Sequence, residues 1–377
     1  MKKHKWIAAA CVLLAVAAIA MGVILFLQKE KARREYNEYC EARIDSEKQW
    51  ILKNRTPDGA ILTFYSQEKD STDEKRYMNP YFACIAARGL LRGEATEEEI
   101  AAVKEYLSWY AARIEEDGSI SDYDYVRQQT GDFRWQARQD ADSVDSYAAL
   151  FLILAAEYEE TTGDTAFLSE ISEPIIRVTN KLLDLQQPNG LMAVSDKNPV
   201  QYTMDNAEVN LALRKMAVLC QKNPEFAGAL PRLKDALQYQ TTAISTLLWD
   251  HAAGEYLVGL DGQGKALRVE DSTKIYPYWS AQLFLQLFEF VGDGAERGYT
   301  LYERFCAEIP WTDLGFRRNA SSSYWCALLC CAAQNKDGVR AREYLAAYDS
   351  TLGQGRAYPY YCAESGWMIL ALEYMKY

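Results

Sequence analysis

Residues 140–164 read DADSVDSYAALFLILAAEYEETTGD. From residue 144 to 156 almost every position is apolar or small, so the helix this stretch forms has no polar face. A helix that is apolar all round belongs inside a protein. Its first turn is different, because Asp140, Asp142 and Asp145 stand together there. Carboxylates are favoured at a helix N-terminus, where the free N–H groups and the positive end of the macrodipole lie. The stretch therefore predicts a buried helix whose acidic tip comes up at a surface or a cleft.

The rest of the chain repeats that design. Twelve helical segments are predicted after an N-terminal apolar run. Six are apolar nearly all round, at 79–93, 141–162, 204–223, 278–291, 320–335 and 361–376. They alternate with six amphipathic ones, at 30–53, 97–115, 164–187, 228–249, 294–309 and 337–349. Thr96 and Glu99 form a capping box for the segment at 97, and Asp164 caps the one after Gly163. Links from a buried helix to the next amphipathic helix are short. The reverse links are long, and each carries a turn glycine followed by an apolar or aromatic pair, at Gly59, Gly118, Gly190, Gly254, Gly315 and Gly355. The intervals are 59, 72, 64, 61 and 40 residues, a sixfold helical-hairpin repeat with loop insertions. Such hairpins close into a double ring, an (α/α)6 toroid, with the apolar helices inside and the long loops gathered where those helices begin. The fold class is all-α.

Composition narrows the function. The 377 residues carry a net charge of −12, which argues against nucleic acid as a partner. Aromatic residues make up 12%, and those in loops can stack on flat ligands such as sugar rings. The nine cysteines form no CxxC and no Cys/His cluster, so no metal site is expected. The chain lacks a phosphate loop and a dinucleotide fingerprint, so no cofactor is expected. His4 and His251 are the only histidines, too few for a convincing Ser-His-Asp triad.

Residues 6–27 carry no charge and are long enough to cross a bilayer. Lys2, Lys3 and Lys5 precede them; Lys29, Lys31, Arg33 and Arg34 follow. The positive-inside rule is near a tie, and the short tail ahead of a single span places the remaining chain outside the cell. The expected organisation is a basic tail and anchor at 1–28, a stem continuous with the first helix at 29–45, and the ring at 46–377. The expected location is the cell membrane, single-pass.

At this point the residues resemble the six-hairpin glycosidases, and within them glycoside hydrolase families 8 and 126. The resemblance is carried by TPDGAI at 56–61, NPYFACIAARGL at 79–90, DADSVDSYAALFLILAAEY at 140–158, MDNAEVNLAL at 204–213, YPYWSAQLF at 276–284 and YPYYCAESGW at 358–367. It implies a bacterial protein that hydrolyses a polysaccharide with inversion. Family 8 enzymes place a general-acid Glu just before the first inner helix. Here Tyr77 stands at that position, with Glu74 nearby.

Inverting hydrolysis needs one protonated and one ionised carboxyl facing each other across a cleft. Asp58 and Glu74 are the candidates for the acid. Asp142, Asp145 and Glu208 are the candidates for the base, with Asp145 favoured because it aligns with the inner-helix Asp of family 8. The same acids can be ordinary helix caps. Trp135, Tyr202, Asp205, Tyr278, Trp279, Tyr360 and Glu364 are the candidate substrate-binding residues. Two functions are compatible with this set. One is a membrane-anchored glycosidase acting on a cell-surface or exported polysaccharide. The other is a catalytically inactive ring that binds glycan or scaffolds polysaccharide export.

Overall fold

The structure is a computed structural model. It describes residues 2–63, 75–138, 143–269, 271, 273, 275–292, 294–311, 325–352, 356 and 360–376, with the side chains of 2–18, 294, 295, 351 and 352 left aside. Glu74, Asp140, Asp142, Gly315 and Gly355 lie outside the described residues.

The expected buried helix is present over residues 144–162. Helix α4, Val144–Thr162, has Tyr147 through Ala156 all buried, so apolar side chains leave it in every direction. Gly163 ends it in the left-handed conformation, and Asp164 then accepts the Phe167 N–H to start helix α5, Thr165–Glu170. Five more helices share the all-round burial: α2 (Pro80–Leu90), α7 (Thr203–Lys222), α9 (Ser280–Leu287), α11 (Cys326–Gln334) and α13 (Cys362–Met375). They pack in the cyclic order α2, α4, α7, α9, α11, α13 and back to α2, which closes an inner ring. Outside it lie α1 (Lys2–Lys53), α3 (Glu97–Ala111), α6 (Ser172–Asp184), α8 (Leu230–Leu247), α10 (Gly294–Glu308) and α12 (Gly338–Leu352). The capping box at Thr96 and Glu99 is present at the start of α3.

The turn glycines show how the hairpins are joined. Gly59, Gly118 and Gly190 all have φ near +90°, a conformation that side-chain-bearing residues avoid. Each is also pressed against the outer helix of the following hairpin. An added Cβ would stand 2.9 Å from Glu105, 2.7 Å from Arg177 and 2.9 Å from Tyr239, respectively. The sequence signal is thus a docking contact as well as a turn.

Two expectations are corrected. The segment at 164–187 is not one helix but α5 and α6, broken at Ile171. Pro174 in the first turn of α6 has no N–H to offer an upstream carbonyl and its ring would clash with one. The long links are not plain loops either. Strands β1 (Lys75–Met78), β2 (Tyr123–Arg127) and β3 (Phe133–Ala137) form one antiparallel sheet. Strands β4 (Gln201–Tyr202), β7 (Gly259–Leu260) and β8 (Ala266–Leu267) form a second, and β5 (Trp249–Asp250) pairs with β6 (Glu255–Tyr256). β1 leads into α2 and β4 into α7, so two sheets stand at the end of the ring where inner helices begin, here called the mouth.

Among the described residues no helix is long and apolar enough to cross a membrane. Only 19–27 of the charge-free run have described side chains, and those are exposed. At the end opposite the mouth, Arg88 and Arg92 share the buried Glu157 carboxylate, beside a polar cavity of about 50 Å³.

Candidate active site

Three of the acids singled out in the sequence meet at the mouth. Asp145 is in the first turn of α4, and Asp205 and Glu208 share one face of the start of α7. Asp145 and Glu208 are fully buried and Asp205 nearly so. The Ser143 hydroxyl lies 2.7 Å from Asp145 Oδ1 and 3.3 Å from Asp205 Oδ2, bridging the two helices. The Ser146 N–H donates to Asp145 Oδ1 at 2.8 Å. Tyr81, at the start of α2, donates its hydroxyl to Glu208 Oε1 at 2.6 Å. Asp145 Oδ2 and Glu208 Oε2 are buried and meet no hydrogen-bond partner of good geometry among the described residues.

These surroundings fix the charge state. Removal from water raises the Asp145 carboxyl well above the usual range, and the nearby Asp205 raises it further. Burial and then Asp205 push Glu208 up to about 8. Carboxylates crowded into a dry site oppose one another's ionisation, which strengthens their hold on protons.

A fourth carboxyl, missed in the sequence, lies in an adjoining network. Asp122 accepts hydrogen bonds from the Tyr77 hydroxyl, from Tyr147 OH at 2.8 Å and from Asn79 Nδ2 at 3.1 Å. Burial raises its pKa, and those three donors offset only part of the rise. The Tyr81 and Tyr147 rings, 6.4 Å apart, link this network to the α4–α7 cluster. Asp122 belongs to no helix tip, which is why a search of helix starts passed over it. It sits four residues beyond the recurrent turn glycine Gly118, a signal that was available. Pairing of β1 with β2 sets Tyr77 opposite Asp124, which brings Tyr77 up to Asp122. The residue at the expected general-acid position thus binds a carboxyl from another hairpin.

The remaining candidates are distributed elsewhere. Asp58 is held by Trp135 Nε1 at 2.7 Å, Arg113 at 3.4 Å and Thr56 Oγ1 at 2.6 Å. Trp135 packs on Trp109 of α3, Tyr123 and Tyr125, on the face of β2 opposite Asp122 and Asp124. Those two candidates meet each other and not the carboxyl cluster. Tyr202 is half-buried at the start of α7, where its carbonyl accepts from Asn206. Tyr278 is buried between Glu255 and Arg304, and Trp279 is buried against Phe305. Tyr360 is buried with Glu47, Ser365 and Tyr348, and so ties α13 to α1. Glu364 accepts the N–H groups of Trp325 and Cys326, which makes it a cap for α11. Partly exposed aromatic side chains at the starts of inner helices are Tyr81, Phe82, Tyr202, Trp325 and Tyr361; Tyr276 is exposed and stacks on Trp325. Among the described residues no group of three or more His, Cys, Asp or Glu is arranged to hold a metal ion.

The sequence matches no protein-family model and no curated protein. The fold does match solved structures. A structure titled "Glycosidase Wild Type" aligns with TM-score 0.61 at 10% identity over 90% of this chain and 97% of that one. The GH63 mannosylglycerate hydrolase from Thermus thermophilus in complex with glucose aligns with TM-score 0.59 at 11% identity over 88% and 99%. A rhamnosidase from Klebsiella oxytoca with rhamnose bound aligns with TM-score 0.51 at 15% identity over 78% of this chain; the chain spans 57% of that protein's length. The fold is the six-hairpin glycosidase ring. These likenesses do not single out families 8 and 126.

Proposed function

We propose that this protein is a membrane-anchored glycoside hydrolase that acts on a cell-surface or exported polysaccharide by inversion. The observation that carries the reading is the group of buried carboxyls at the mouth. A structural cap needs one ionised acid, whereas Asp145, Asp205 and Glu208 crowd together with two oxygens lacking a well-formed hydrogen bond. Raised acids at the mouth of a ring suit general-acid work. The roles differ from those drawn from sequence. Asp145 holds the proton to be given to the leaving oxygen, supported by Glu208. Asp122, which accepts three hydrogen bonds, is the second carboxyl and activates water. The half-buried aromatics at the mouth stack on sugar faces. The charge-free run at 6–27 supplies the anchor, and its described part, 19–27, is exposed on all sides as a lipid-facing helix is.

A second reading has its own support. Asp145 and Glu208 have no exposed surface, and Tyr77 replaces the expected acid. Both features suit a ring that binds glycan without cutting it. The test is release of reducing ends from a polysaccharide panel by the full-length protein in detergent, with the anomer of the first product read by NMR. The wild type is expected to release inverted product, and Asp145→Asn to lower turnover at least 100-fold while binding persists. Binding without release in both proteins selects the inactive reading. Absence of glycan binding defeats both.

A further inference from the structure

Helix α1 projects from the ring. It runs unbroken from Lys2 to Lys53 and only its C-terminal part packs against the ring. The direction of that part is set by its neighbours. Cys40 is buried within the electrostatic reach of Glu373 and Lys376, at the C-terminal end of α13. Lys48 donates to the Arg92 carbonyl just past the end of α2, at 2.9 Å. The chain beyond Lys53 is instead at the mouth. Thr63 accepts the Asn79 N–H on its hydroxyl and the Cys362 N–H on its carbonyl, at the starts of α2 and α13. So α1 enters the ring at the end opposite the mouth and finishes at the mouth.

Upstream of Tyr36 the helix leaves the ring altogether. Ile19, Met21, Val23, Ile24, Leu25, Phe26 and Leu27 are each at least half exposed, and they point in all directions round the helix. Lys29, Lys31, Arg33 and Arg34 follow at once, as expected where a helix leaves hydrocarbon for the headgroups. At 1.5 Å per residue, Leu27 lies about 20 Å below Cys40 and about 40 Å below Lys53 along the axis. A tilt of about 20° shortens these spans by less than a tenth.

We propose that the ring stands off the bilayer on α1 with its carboxyl-lined mouth turned away, so that its substrate is a free or wall-held glycan chain and not a sugar on a lipid headgroup. This rests on the anchored-glycosidase reading. Headgroups extend only about 5–8 Å beyond the hydrocarbon. A lipid-borne sugar would stop far short of a mouth about 40 Å above the hydrocarbon edge, and would meet the opposite end of the ring first, where Arg88 and Arg92 are engaged by Glu157.

Two measurements test the inference. Cryo-EM of the full-length protein in a lipid nanodisc should show the ring clear of the disc, with the starts of α2, α4 and α7 distal. Full-length protein in vesicles should cut soluble polysaccharide at least 100-fold faster than the same oligosaccharide attached directly to a lipid in those vesicles. A spacer longer than about 40 Å on that lipid should restore cleavage. A ring inserted in the disc with its mouth against the lipid overturns the orientation and leaves the hydrolase reading intact. Equal cleavage of the directly attached sugar overturns the substrate assignment. Protein that never enters the disc overturns the anchor and the inference with it.

Discussion

At the scale of single residues, the function turns on how much water reaches a carboxyl. Asp164, which is only partly buried and is paired with Lys104, has its pKa lowered. Asp145, which is buried beside Asp205, has its pKa raised. The same residue type is a helix cap in one place and a proton store in the other. Glu208 makes the difference measurable. Its folded pKa of about 8 lies above the ordinary Glu value, so the folded state binds the proton more tightly than the unfolded chain. Its stabilising effect is complete in acid and is lost as pH rises through about 8. Glu208→Gln keeps the shape and removes the titration. The variant should therefore show a flatter fall in Tm between pH 5 and pH 8.5 than the wild type; parallel curves would refute the raised pKa.

At the scale of elements, the inner helices are held by packing and the loops by pairing. α4 contributes Leu150, Phe151, Leu152, Ile153 and Leu154, all fully buried, and Phe151 stacks on Tyr110 of α3 at 4.2 Å. Leu152→Ala should cost about 2–5 kcal/mol, the range for truncating a leucine in a close-packed core, read from chemical denaturation. An unaffected midpoint would mean that α4 is not in the core. The strands work differently. β1, β2 and β3 are four or five residues long and depend on the helices behind them. Their register still decides which acids reach the mouth.

At the scale of the whole molecule, the ring depends on its last contact. α13 must return to α2, and it does so through Gly366 and Gly89. A Cβ on Gly366 would lie 2.3 Å from the Ile85 carbonyl oxygen, a backbone atom that cannot turn aside. Gly366→Ala should force the two helices apart and cost about 1–3 kcal/mol or more, seen as a lower unfolding midpoint. The change lies in a helix that alanine otherwise favours, so a gain in stability would show that the seam is looser than the structure has it.

The ring was legible in the sequence. All-round apolarity, caps and turn glycines are local properties, and each is written within a few residues of where it acts. The sequence also put Asp145, Asp205 and Glu208, with several other acids, at one end of the ring, because their helices begin there, and spacing of three puts Asp205 and Glu208 on one face. The rest depends on contacts between distant parts of the chain. Asp122 joined the site because β1 pairs with β2, a contact across more than forty residues of chain. Trp135 and Asp58 turned away from it because alternate strand residues face opposite sides, and one step in register exchanges the faces. Tyr278, Trp279 and Tyr360 went into the core, where their hydroxyl or ring found partners on other elements. An aromatic residue near a helix start reads the same in sequence whether it faces a cleft or a neighbour. Only the neighbour, brought in from a distant part of the chain, settles which.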